Sequence, residues 1–120
     1  MKRFYYLSSC STCIRILREL NLPSDFELID IKKKNVDEET LDFLQSKTES
    51  FEALFSKKAM KYKSLGLSQK NLSEIEFKKL ILEEYTFLKR PILIDEQSIF
   101  VGNSADVVSK AKSYLSNLAQ

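Results

Sequence analysis

The sequence predicts an α/β domain in the order βαβ, a helical middle, then ββα. Three observations carry this. An apolar run, Phe4-Tyr5-Tyr6-Leu7, leads into Cys10-Ser11-Thr12-Cys13 and then helical spacing from Ile14 to Leu20. A second strand-like run, Phe26 to Ile31, follows after a short connection. Near the end, Ile92-Leu93-Ile94 and Ser98-Ile99-Phe100-Val101 are separated only by Asp95-Glu96-Gln97. That gap is too short for a crossover, so the pair predicts an antiparallel hairpin.

In chain order, Arg3 to Ser8 reads as the first strand, rich in the aromatic residues of a largely buried one. Ser11 or a neighbour starts a helix with Cys13, Ile14, Leu17 and Leu20 on one stripe and Arg15, Arg18 and Glu19 outward. Asn21-Leu22-Pro23 stops it. With the second strand this makes a parallel, right-handed βαβ unit. Lys32-Lys33-Lys34-Asn35 reads as a solvated basic turn. Asp37-Glu38-Glu39 places acid at the start of a helix bearing Leu41, Phe43 and Leu44. A shorter helical piece, Ser50 to Phe55, precedes the basic stretch Ser56 to Lys63, and Gly66 ends whatever helix that stretch contains. Ser73 and Glu76 have capping-box spacing, opening a helix with Phe77, Leu80, Ile81, Glu84 and Leu88 that ends before Pro91. Gly102-Asn103 turns the chain, and Ser104 caps a last helix with Val107, Val108, Ala111, Tyr114, Leu115 and Leu118. The middle, about residues 37–88, is long for a connection and reads as a helical insertion within a single domain spanning 1–120.

Composition narrows the function. Hydrophobic residues make up 43% and charged residues 30% of the 120, as in a soluble globular protein. A net charge of +2 argues against nucleic acid or an anionic membrane as main partner. No apolar stretch approaches bilayer length, and Met1-Lys2-Arg3 precedes too short an apolar run for a signal peptide. The expected location is therefore cytoplasmic, where a paired CxxC is more often redox-active than structural. The chain has no His, which excludes Cys–His and Ser–His nucleophile pairs, and two cysteines alone cannot close a tetrahedral zinc site. Gly66 and Gly102 are the only glycines, which excludes glycine-rich phosphate loops.

The chemistry-bearing stretch is Ser8 to Arg15. After a strand and at a helix start, Cys10 meets unpaired backbone N–H groups and the positive end of the helix dipole, both of which favour thiolate. Arg15 and Arg18 add positive charge. Cys10 is the expected nucleophile and Cys13, better buried, the residue that resolves a mixed disulfide. Ser9 and Thr12 could donate to a thiolate or simply cap the helix. Lys89-Arg90-Pro91 opens the third strand, which such a fold sets beside the first, so Pro91 could face Cys10. About 5–6% of X–Pro bonds are cis, so the residues alone predict trans here. Arg90 is either a bidentate clamp for an oxyanion or carboxylate, or a surface arginine. Among Lys57, Lys58, Lys61 and Lys63, only Lys58 is favoured over a solvated helix face as a contact to an anion held at Cys10.

These residues resemble the ArsC/Spx family of bacterial thioredoxin-fold proteins. The resemblance runs nearly end to end. It rests on Cys10-Ser11-Thr12-Cys13 after the first strand, Ile29-Asp30-Ile31, Leu54-Phe55-Ser56-Lys57-Lys58, Tyr62-Lys63-Ser64-Leu65-Gly66-Leu67, and Leu88-Lys89-Arg90-Pro91-Ile92-Leu93-Ile94 with Val101-Gly102. It implies a thioredoxin-like fold with a four-stranded mixed sheet, a helical insertion and a cis peptide bond at Pro91. It also implies an arsenate reductase-like thiol oxidoreductase in which Cys10 attacks an oxyanion or disulfide. Arg90, and Lys58 where many members carry arginine, would hold the anion. Read from the residues and not from the resemblance, Ser9, Ser11, Thr12 and Pro91 are the remaining candidates for the substrate site. No cofactor is expected to stay bound, and glutathione with glutaredoxin, or thioredoxin, would be the reductant. The Spx branch implies an alternative, a redox-sensing regulator that binds RNA polymerase without turnover. Gly102 and Asn103 stand where arsenate reductases carry a further arginine, and Ser50 stands about where Spx proteins carry glycine.

Overall fold

Four strands form one mixed sheet in the order β2-β1-β3-β4: β1 (Lys2–Tyr6), β2 (Glu27–Asp30), β3 (Ile92–Asp95) and β4 (Ser98–Val101). The computed structural model describes residues 1–118. Strands β1 and β2 are parallel, with Arg3 opposite Glu27 and Tyr6 opposite Asp30. Strand β3 runs antiparallel to β1, placing Ile92 opposite Tyr5, and antiparallel to β4. All four residues of β3 are buried, as its unbroken apolar sequence up to Asp95 requires of an interior strand. Asp95 begins the hairpin turn and keeps only 4% of its surface. The Tyr114 hydroxyl donates to it at 2.9 Å, so this buried carboxylate does not lack a partner.

The chain divides into two compact units, Asn35–Lys89 and the remainder. In the sheet-bearing unit, α1 (Ser11–Leu20) and α5 (Ala105–Leu118) contribute to one core with the sheet. Phe4, Ile16, Leu20, Phe26, Leu93, Ala111 and Leu115 form it. The α1 stripe therefore differs from the expected one. Cys13, Ile16 and Leu20 are buried, while Ile14 and Leu17 are half-buried. A helix with four apolar residues in five positions leaves its phase to whatever it packs on, and the α5–sheet core selects Ile16. Leu118, expected on the α5 stripe, lies beyond the last core residue and is 51% exposed. Strand β1 stops two residues before Ser8 because the Leu7 carbonyl accepts the Cys10 N–H at 3.0 Å and turns the chain.

In the other unit, α2 (Glu38–Thr48), α3 (Met60–Ser64) and α4 (Glu74–Glu83) surround a core of Leu41, Leu44, Leu54, Phe55, Phe77, Ile81, Phe87 and Leu88. Asp37 caps α2, accepting the Thr40 N–H at 2.8 Å. Ser73 and Glu76 form the expected capping box on α4. That helix ends at Glu83, earlier than its apolar spacing predicts. Glu84 is extended, and its carboxylate accepts the Thr86 hydroxyl at 2.7 Å and starts a separate 3-10 turn. Leu88 lies outside the helix and pairs with Phe55 across an antiparallel bridge. No helix among the described residues is long and apolar enough to cross a membrane.

Candidate functional site

Cys10 is the N-cap of α1: its backbone is extended while its carbonyl accepts the Ile14 N–H at 3.2 Å. No side-chain oxygen caps this helix, so neither Ser9 nor Thr12 fills that role. The thiol itself occupies the position where a capping oxygen would normally accept. The two cysteines differ in burial, Cys10 being partly exposed and Cys13 only 1% exposed.

This difference in burial separates the two thiols electrostatically. Burial acts to raise the Cys10 pKa, but hydrogen bonds from the Cys13 N–H, the Cys13 thiol and the Thr12 N–H, with the Arg90 charge, bring it below the ordinary value. Cys13 is pushed up to about 11, chiefly by burial; the Leu7 backbone and Arg90 pull the other way, while the neighbouring Cys10 adds to the rise. A thiol that ionises readily and is reachable thus lies one helical turn from one that stays protonated and covered.

Arg90 and Pro91 reach this site through the sheet. Because Ile92 lies opposite Tyr5, Pro91 sits at the end of β3 nearest the point where β1 runs into the Cys10 loop. The Arg90–Pro91 peptide is cis, as the resemblance implied and the residues alone did not. The Pro91 carbonyl accepts the Gly102 N–H at 2.9 Å. Gly102 has φ +100°, a backbone conformation that a side chain would strain. Lys58 is exposed and belongs to the Asn35–Lys89 unit, just before α3.

Two features were not read from the sequence. Asp30, at the end of β2, accepts Ser8 Oγ at 2.6 Å, the Ser8 N–H at 3.3 Å and the Lys32 N–H at 3.2 Å. The only signal for it was an acidic residue closing an apolar strand. The second is an open cleft of about 510 Å³ along α1, lined by Ser8, Ser9 and Ser11 at one end and by Ile14, Arg15, Arg18 and Glu19 beyond. Ser9 and Ser11 flank Cys10 in sequence, but Cys10 is not among the residues that line the cleft.

The ArsC family profile matches residues 5–111. The chain belongs to the ArsC family. It is 29% identical over 112 residues to the Global transcriptional regulator Spx 2 of Bacillus anthracis, covering 88% of this chain and 82% of that protein. A solved structure of a possible arsenate reductase from Streptococcus mutans is 33% identical, with a TM-score of 0.64, covering 82% of this chain and 87% of that one. An arsenate reductase from Vibrio cholerae superposes with a TM-score of 0.74 over 93% of this chain and 95% of its own, at 19% identity, and shows the shared fold. The ArsC-family chain described here therefore has the thioredoxin-like α/β architecture expected of it.

Proposed function

We propose that this ArsC-family protein is a thiol-dependent reductase in which Cys10 is the nucleophile and Cys13 the resolving thiol. The observation that carries the reading is the asymmetry of the pair: a partly exposed thiol with lowered pKa at the α1 N-cap, beside a buried one held at about 11. With an oxyanion, the Cys10 thiolate bonds to the central atom and one oxygen departs as water. Cys13 gives up its proton and attacks the Cys10 sulfur. The bonding pair returns to the central atom, which is reduced by two electrons, and a Cys10–Cys13 disulfide remains. Glutathione with glutaredoxin, or thioredoxin, regenerates the two thiols. Arg90 holds the anion, and the Ser11 to Cys13 N–H groups stabilise the developing charge. Ser9, Thr12 and Pro91 complete the walls.

Removing Cys10 as Cys10→Ser abolishes turnover, and Cys13→Ser accumulates a mixed disulfide detectable by intact mass. Equal turnover by Cys10→Ser and the parent protein, with glutathione and glutaredoxin supplied, sinks the mechanism.

A second reading is favoured by the likeness to a transcriptional regulator over 88% of the chain. Here the Cys10–Cys13 pair is a switch whose oxidation changes affinity for an RNA polymerase subunit, without turnover. A polymerase pull-down with oxidised and reduced protein separates the two: equal capture in both states removes the switch.

A further inference from the structure

Strand β2 is an edge of the sheet, with β1 as its one neighbour among the described residues. The Ile31 N–H donates to the Tyr6 carbonyl at 2.9 Å. By the alternation of the pleat, the Ile29 backbone also faces β1, and the Leu28 N–H and carbonyl face away from it. Leu28 lies opposite Phe4, so its side chain shares the sheet face that carries the α1–α5 core, yet it is 50% exposed. Beside it is a groove of about 300 Å³ whose apolar lining is Leu17, Leu22, Phe26 and Leu28, and Arg18 lines it too. An open backbone donor and acceptor thus lie next to an apolar groove, which is what an added strand requires.

Charge decides what kind of strand fits. The acids near the edge are engaged: Asp25 pairs with Lys2 at 3.1 Å, Glu27 with Arg3 at 3.4 Å, and Glu19 with Arg15 at 3.3 Å and with Lys112 of α5 at 3.4 Å. Arg18, and Lys32 and Lys34 just past β2, make no ion pair among the described residues. Arg18 shares the groove with Phe26, just before β2, and the lysines follow its end, so the uncompensated charge at both ends of the edge is positive. A second copy of this edge would bring the same free cations, with acids already paired.

We propose that the β2 edge takes an extended acidic segment of a partner protein as a fifth strand. An apolar residue of that segment enters the groove at Leu28. Carboxylates two residues to either side, on the same face, meet Arg18 at one end and the lysines at the other. The Leu28 N–H donates to the segment and the Leu28 carbonyl accepts from it. The surface works independently of the thiol chemistry.

The test uses the full chain and two probes without cysteine, acetyl-Thr-Glu-Thr-Leu-Thr-Glu-Thr-amide and its counterpart with lysine in place of both glutamates. Threonine favours an extended chain, and the glutamates share a face with the leucine. Titrations followed in NMR amide spectra should show the glutamate peptide binding about tenfold more tightly at low salt, with the gap closing as salt rises. Arg18→Glu should cut that preference about threefold, while Lys110→Glu, the same charge change on α5 outside the groove, should keep it. At about 80% saturation the Leu28 amide should exchange with solvent about fivefold more slowly, and that of Ile29, already facing β1, should change little. Equal binding of the two peptides, no binding at millimolar peptide, or binding that leaves Leu28 exchange unchanged would overturn the proposal. Leu28 exchange that slows with rising protein concentration in the absence of peptide would assign the edge to a second copy and overturn it as well.

Discussion

Ser8 Oγ donates to Asp30 Oδ2 at 2.6 Å, fastening the start of the Cys10 loop to the last residue of β2. The Ser8 and Lys32 N–H groups donate to the same carboxylate through Oδ1. Asp30→Ala leaves three donors without this acceptor and should cost about 1–3 kcal/mol in urea unfolding at pH 7. The Asp30 carboxyl is held below its ordinary value, first by the Ser8 hydroxyl, against burial, with the two N–H groups and the Lys33 charge adding to the effect. A depressed folded value means the stabilisation is full above the unfolded pKa of about 3.9 and fades as pH falls through the folded one. The stability gap between the parent protein and Asp30→Asn should therefore narrow below about pH 4. A gap unchanged from pH 7 to 3 would show that the carboxylate charge contributes nothing.

The two thiols should titrate apart. Alkylation of the Cys13→Ala protein by iodoacetamide should rise at lower pH than that of Cys10→Ala, whose lone thiol is still raised by burial and lacks the ease of ionisation that the N-cap thiol has. Stability follows with the opposite sign to that of Asp30. The folded protein holds the Cys13 proton to higher pH than the unfolded chain does. The contribution is therefore intact below about pH 8.5 and is lost as pH climbs toward 11. Cys13→Ala should flatten that alkaline slope, and superimposable alkylation profiles for the two single-cysteine proteins would contradict the asymmetry.

Arg90 acts on both thiols through charge, lowering each. Arg90→Gln should slow Cys10 alkylation at pH 7 by about 1.5- to 5-fold, the range of a partly solvated charge pair. Arg90→Lys should retain most of the rate, while losing the planar fork needed for an oxyanion. A Gln variant whose alkylation profile overlays the parent would remove Arg90 from the electrostatics of the site.

What the sequence made legible was local. The β3–β4 hairpin follows from a three-residue gap, the helix start at Cys10 from strand–CxxC–helix order, and the α4 cap from Ser73 and Glu76 alone. What it hid depends on partners distant in the chain. The α1 face is decided by the Phe4, Leu93 and Ala111 core, which selects Ile16 over Ile14. The end of α4 is decided by Phe55, which draws Leu88 into a bridge even though the apolar spacing would extend the helix through it. For the site, the pair itself could be read from the motif. The Asp30 tie and the charged cleft could not, because one joins β2 to the β1–α1 loop and the other needs to know that Glu19 is already occupied by Arg15 and Lys112.

The helical unit should depend on one ring more than any other. Phe55 is 1% exposed and meets Phe77 and Phe87 at 4.9 Å and Tyr62 at 5.7 Å between ring centroids. Its flanks are fixed too: the Leu54 carbonyl accepts the Lys89 N–H at 2.9 Å and the Phe87 carbonyl accepts the Ser56 N–H at 2.7 Å. With backbone held on both sides, the surrounding rings cannot close over a missing side chain, so Phe55→Ala should leave a cavity and cost about 3–5 kcal/mol. Ile75, on the same unit but 79% exposed, has no such cavity to leave, and Ile75→Ala should stay within about 0.5 kcal/mol of the parent. Urea midpoints at unchanged slope measure both; similar small losses for the two substitutions would mean the aromatic cluster is not what holds this unit together.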